Sequence, residues 1–341
     1  MQAMTSIGMR SAVSGARVMR LAGCALTVGA LLLGGGAVQA QSDYPTRAVR
    51  VVVPTTPGVV PDALTRLITQ RLAEIWSVPV VVENRPGASG VVAASFVAKS
   101  EPDGYTILFG DSTLWGINPH VYGKLSYDPL KDFAPVIGAA HLPMYLTVNA
   151  SSPLRTVQDL IDYAKKHPGK IAYATPGAGS SGNMAGELFR SMAGVELLHV
   201  PYKGSEGVKA LIGNDVQLAI YGQVAIVPQV KAGNLRILAG TMAERSSTLP
   251  DVPTVAESGL PGYDISSTFG AMVPASTPRE VIAKINAGIV KALADPEISA
   301  KFKNFGTPPI PDATPERFGA TMRSEYAKFG KLARDTGMKL Q

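Results

Sequence analysis

Gly177-Ala178-Gly179-Ser180-Ser181-Gly182 spells G-x-G-x-x-G between a predicted strand over 171–175 and a predicted helix over 183–192. Such a loop turns tightly and aims backbone N–H groups at the space before the helix, which suits an anion. In a dinucleotide site an acid about twenty residues further on would bind ribose. Glu196 stands near that place, but it starts the next strand instead of ending it. The motif also lies in the second half of the chain, not in its first strand–helix–strand unit. Two readings remain, a plain tight turn or a generic anion loop. In the second reading Thr175, Gly179, Ser180, Ser181 and Asn183 surround the anion, and Thr175 and Ser180 are expected to touch it.

The loop over 55–60, Thr55-Thr56-Pro57-Gly58-Val59-Val60, follows the first predicted strand in the same way. Open α/β sheets bind ligands at that carboxyl edge. Two helix N-termini facing across a cleft would hold a dianion without Arg or Lys. Asp62, near the helix start, reads as favourable to the helix dipole rather than as a general base. The candidate ligand set is Thr55, Thr56, Gly58, Val59, Val60, Asp62, Ser112, Thr175, Gly179, Ser180, Ser181, Asn183, Gly204 and Tyr221. Catalytic constellations are poor. There is no G-x-S-x-G, no H-E-x-x-H and a single Cys, Cys24, so no cysteine-based metal site or disulfide framework exists. His199 reads as structural. No cofactor and no metal are expected.

The first forty residues read as an address. They hold no Asp or Glu, and Arg10, Arg17 and Arg20 precede an apolar run over 21–33. Three glycines and Val38-Gln39-Ala40 follow, a small-residue cleavage site, so residues 1–40 form a secretory signal peptide. Cys24 imitates a lipoprotein box, but the apolar run follows it instead of ending at it. The mature protein is expected to begin at Gln41. With three Arg removed from a formal charge of +6, +3 remains, and no charge run suits nucleic acid. No later stretch has the apolar length of a membrane helix.

Strands over 48–53, 78–83 and 105–109 alternate with helices from Pro61 and to about Lys99, the mark of a parallel sheet covered by helices. A second series places strands over 171–175, 197–202, 216–221 and 235–239, with helices between them. Extended stretches over 134–149 and 265–273 join the two sheets. Helices over 280–293, 298–305 and 315–336 have no strands of their own and are expected to pack back on the first sheet. The chain then crosses twice between two lobes and leaves a cleft. The expected division is 41–140 for the first part of lobe 1, 141–268 for lobe 2 and 269–341 for the return to lobe 1.

From Tyr44 onward the sequence resembles the Bug-type solute receptors of tripartite tricarboxylate transporters. The resemblance rests on Tyr44-Pro45, Val52-Val53-Pro54, Val82-Glu83-Asn84-Arg85-Pro86-Gly87-Ala88, Pro102-Asp103-Gly104-Tyr105 and Ala185-Gly186-Glu187-Leu188-Phe189. Val200-Pro201-Tyr202-Lys203-Gly204, Lys231-Ala232-Gly233, 249–254 and Glu257-Ser258-Gly259 complete it. It implies an α/β, two-lobed type II periplasmic binding protein fold, or Venus flytrap, with open, mostly parallel sheets and two crossing strands. It also implies a periplasmic receptor for a small organic carboxylate that serves membrane transporter subunits, as a monomer without nucleic acid. A ligand-sensing subunit of a signalling system and an exported hydrolase are the alternatives. The sequence departs from the family pattern at Thr55 (usually aromatic), Val59-Val60 (usually paired Gly), Thr175 and Asn183 (usually Ser and His) and Phe269 (commonly Trp).

Overall fold

The computed structural model describes residues 44–339, so the predicted signal peptide and its cleavage site lie outside the described residues. Strand β1 (Val49–Val53) is almost entirely β-branched, and only Arg50 is exposed. Val49 and Val51 join one core with Leu64, Ile68 and Leu72 of helix α1 (Val60–Trp76). Val52 joins another with Ala93, Ala94 and Val97 of α2 (Val91–Ala98). A central parallel strand covered on both faces needs such a continuous apolar run. Strands β2 (Val80–Asn84) and β3 (Thr106–Asp111) flank it in parallel.

The first sheet has the order β2-β1-β3-β10-β4, where β4 is Phe133–Leu142 and β10 is Ser267–Pro274. The second has the order β7-β6-β8-β5-β9. It is built from β5 (Met144–Asn149), β6 (Ile171–Thr175), β7 (Leu197–Pro201), β8 (Leu218–Gly222) and β9 (Leu235–Gly240). Each sheet is mixed. Strand β10 runs antiparallel to β3 and β4, and β5 runs antiparallel to β8 and β9. The reason is connectivity. Strand β4 leaves the first sheet at the carboxyl edge, and one residue, Pro143, separates it from β5. Strand β5 then enters the second sheet at that sheet's carboxyl edge and must run against β6 and β8. Strand β10 returns by the same rule. Both carboxyl edges therefore meet at the crossings.

The crossings are tied together. Thr241 N donates to Met144 O (2.9 Å), Ile265 N to Thr241 O (2.7 Å) and Thr241 Oγ1 to Ile265 O (2.7 Å). In the second lobe, α4 (Val157–Lys166) starts at Thr156 and Asp159, which form a reciprocal capping box as their spacing predicts. Helices α5 (Ser181–Ala193), α6 (Glu206–Ile212) and α7 (Gln223–Lys231) follow their strands.

Between β3 and β4 the chain forms a π-helical turn (Thr113–Ile117) and the short α3 (Asn118–Val121), where the sequence predicts no element. No apolar period marks this segment, and its shape follows from packing. A Cβ on Gly116 would lie 2.6 Å from the Phe329 ring. Of the tail helices, α8 (Arg279–Leu293) and α9 (Pro296–Asn304) share the core of the first sheet with α1. Helix α10 (Pro315–Thr336) does more. Phe318 and Met322 pack in the first lobe, while Phe329, Leu332 and Ala333 join the core of the second. It straps the two lobes together.

Candidate functional site

The first loop is shaped by Asp62. This carboxylate, 2% exposed, accepts from Gly58 N (2.8 Å), Asn84 Nδ2 (2.8 Å) and Arg66 Nε (3.0 Å). Asn84 Nδ2 also donates to Thr55 O (3.0 Å), so one amide fixes both ends of the loop. Burial by itself would raise the Asp62 pKa. The bonds from Arg66, Gly58 and Asn84 outweigh it and hold the group below the usual carboxylate range. The loop's positive φ falls on Gly58 (+85°), where glycine adopts it without steric cost. Val59 is extended (φ −83°), and Val60 begins α1, so branched side chains fit there. Both are half-buried, while Thr56 and Gly58 are exposed. The α1 N-terminus has no side-chain cap, and the Thr55 hydroxyl is buried without a partner.

The second loop is held from beneath. Thr175, fully buried at the end of β6, donates from Oγ1 to Gly177 O (3.1 Å) and lies 2.7 Å from His199 Nε2. Ser180 Oγ donates to Gly177 O (2.7 Å) and accepts from Asn183 N (3.2 Å), which caps α5. Asn183 Oδ1 accepts from Gly179 N (3.1 Å), and its Nδ2 donates to Tyr173 OH (3.1 Å). Tyr173 OH donates in turn to Glu187 Oε1 (2.7 Å). Burial pushes the His199 imidazole pKa down. The Thr175–His199 contact is the nearest thing here to a nucleophile and base. Its hydroxyl is fully enclosed and already serves the loop, so no reacting atom reaches it.

The structure brings Thr55, Thr56, Gly58, Val59, Val60 and Asp62 together in the first loop. It brings Thr175, Gly179, Ser180, Ser181 and Asn183 together in the second. Gly204 is exposed in the turn after β7. Tyr221 is 3% exposed near the end of β8, with its hydroxyl packed against Gly207. Ser112 is fully buried at the crossings, where Oγ contacts Glu325 Oε2 (2.8 Å) and accepts from Thr268 N (2.7 Å). Two residues outside the sequence-derived set are built into the site. Asn84 pins the first loop, and Ser89 Oγ reaches the second loop at Ala178 O (3.2 Å). Asn84 stands inside the Val-Glu-Asn-Arg-Pro-Gly motif, so a signal for it was present. Ser89 had none, because its partner is 89 residues away.

Ser180→Ala removes the α5 cap. Its expected cost is about 1 kcal/mol of folding stability with or without ligand. Urea denaturation of the ligand-free protein measures this, and an unchanged midpoint would show that the cap contributes nothing.

Two strand-end loops at the heads of helices thus stand at the carboxyl edges of two sheets that are joined by two crossings. Residues 64–337 match the family described as "Tripartite tricarboxylate transporter family receptor". The chain belongs to this family. It is a family of binding proteins, not of enzymes. A Pseudomonas protein encoded in the tcbD–tcbE intergenic region is 37% identical to the receptor over 314 residues, 92% of each chain. Protein BugT of Bordetella pertussis is 33% identical over 300 residues, 87% of this chain and 92% of its own. Among solved structures, R. palustris Rpa4515 with adipate has 38% identity and a TM-score of 0.80, covering 87% of this chain and 99% of its own. MatC of Rhodopseudomonas palustris with bound malate has 29% identity and a TM-score of 0.78, covering 85% and 99%. The periplasmic binding protein BugD has 30% identity and a TM-score of 0.78, covering 87% and 100%. The receptor thus has the two-lobed fold of periplasmic binding proteins.

Proposed function

We propose that this receptor is exported to the periplasm, captures a small organic acid between the first and second loops, and hands it to the membrane subunits of a tripartite transporter. What supports this reading is the pair of loops at the heads of α1 and α5, each at the carboxyl edge of its sheet, with the antiparallel crossings joining those edges. Free N–H groups at a helix start favour a carboxylate, and here no side chain caps α1. Relatives that hold adipate and malate support the ligand class. The lobes close on the ligand by a hinge motion at the crossings, and the transporter reads the closed form.

Val59 and Val60 give the first-lobe wall an apolar, half-buried surface. A dry wall favours an acid with an apolar body over a heavily hydrated one. A monocarboxylate or an aromatic or aliphatic dicarboxylate is therefore expected to bind more tightly than citrate. Calorimetric titration with citrate, succinate, adipate, benzoate and terephthalate tests the function and the wall together. Replacing both valines by Gly is expected to shift the affinity ratio toward the smaller polar acids. The ratio is the readout, because Gly also raises the ordering cost by about 0.5–1 kcal/mol per residue. Citrate as the best ligand would refute the wall. Silence from every acid would refute the receptor reading.

A further inference from the structure

The turn between β2 and α2 is unusual. Four successive residues, Gly87, Ala88, Ser89 and Gly90, have positive φ (139°, 47°, 50° and 88°). Two of them carry side chains, and an L residue rarely adopts this region. Such a conformation persists only where its surroundings enforce it. Here they do. Asn118, fully buried, donates from Nδ2 to Ser89 O (3.0 Å). A Cβ on Gly90 would lie 2.5 Å from Leu114 Cδ2 and 3.0 Å from Pro54 Cβ, so the base of the turn is wedged against the start of the first loop. Anchored this way, the turn extends Ser89 Oγ to Ala178 O (3.2 Å) in the second lobe.

Strand order shows where this contact lies. The turn follows β2, the edge of the first sheet away from β10 and β4. Ala178 follows β6, on the side of the second sheet away from β5 and β9. The crossings, and so the hinge, are at the opposite side in both lobes. Rotation about a hinge separates points in proportion to their distance from it, so this contact opens further than one beside the crossings. The lobes also touch near the hinge, where a Cβ on Gly306 would lie 2.3 Å from the Gln223 side chain. Gln223 is bonded there to Tyr145 and Thr248 of the crossing segments.

We propose that the left-handed turn of residues 87–90 is a clasp. Ser89 closes the cleft at its hinge-distal end by donating to the Ala178 carbonyl, and so sets how long a ligand stays. Ser89 is thus a positioning residue that acts on closure and not on ligand chemistry. The inference rests on the receptor reading above.

The test uses the full chain with Cys24→Ser and spin labels at two exposed positions, Val92→Cys in the first lobe and Leu198→Cys in the second. Interlobe distance distributions are recorded without ligand and with adipate, and the adipate off-rate is measured by stopped flow. Ser89→Ala is expected to move the distribution toward the longer distance and to raise the off-rate about fivefold, the effect of one neutral hydrogen bond. Ser89→Gly, which accepts positive φ freely, is expected to do the same. Unchanged distributions and off-rate in both variants overturn the clasp. So does a Gly variant that closes like the parent while Ala does not, since backbone strain and not the hydroxyl would then govern closure. If adipate does not bind, the receptor reading is what suffers, and the ligand-free distributions still decide the clasp.

Discussion

Replacing Glu325 by Ala is expected to lower the free energy of unfolding by about 2–4 kcal/mol. Glu325 lies on α10, is 9% exposed and binds three donors, two at the π turn after β3 and one on β10. Oε2 accepts from Ser112 Oγ (2.8 Å) and Trp115 Nε1 (2.5 Å), and Oε1 accepts from Thr268 Oγ1 (2.7 Å). Alanine would orphan all three in a closed interior. Glutamine should not, since its oxygen can face Trp115 while its amide donates to the Thr268 hydroxyl. Burial pushes the Glu325 pKa up, and the bonds from Thr268, Trp115 and Ser112 only partly offset this. The sign follows. A raised folded pKa contributes stability that is full below the unfolded value, near 4.5, and is lost as pH rises through the folded value. Glu325→Gln, neutral throughout, is therefore expected to gain on the parent as pH rises through that window. Thermal melts of the parent, Gln and Ala proteins across pH check this. An Ala variant as stable as the parent would show that the cluster does not hold the lobes' shared strap.

Replacing Asp62 by Ala is expected to weaken organic-acid binding about tenfold or more and to cost about 2 kcal/mol of stability. The carboxylate is the common partner of Gly58 N, Asn84 and Arg66, and its bond to Gly58 N ties the exposed tip of the first loop to the helix start. Arg66 is half exposed, so its ion pair contributes the smaller share. The pH dependence is opposite to that of Glu325. A lowered folded pKa contributes stability present above the unfolded value, near 3.8, and lost as pH falls through the folded value. The parent's advantage over Asp62→Asn should therefore be complete at neutral pH and vanish in acid. Calorimetry with the best-binding acid, together with melts at acid and neutral pH, measures both effects. Undiminished affinity in the Ala variant would remove the first loop from the site.

The sequence by itself determined the order of elements and the two loops. β6 (Ile171–Thr175) and α10 (Pro315–Thr336) stand at their predicted bounds. These features are local, since apolar period, caps and turn residues act within a few positions along the chain. The ordered motifs from Tyr44 onward carried the family resemblance as well. Tertiary structure decided what each polar side chain does. Ser112 belongs to a buried cluster with Glu325, 213 residues away, and the Thr175 hydroxyl is directed into the loop and toward His199. The π turn after β3, the clasp at Ser89 and the bridging course of α10 have no local signature. Each depends on where two distant elements come to rest against one another, and a buried donor takes whichever acceptor that packing brings within reach.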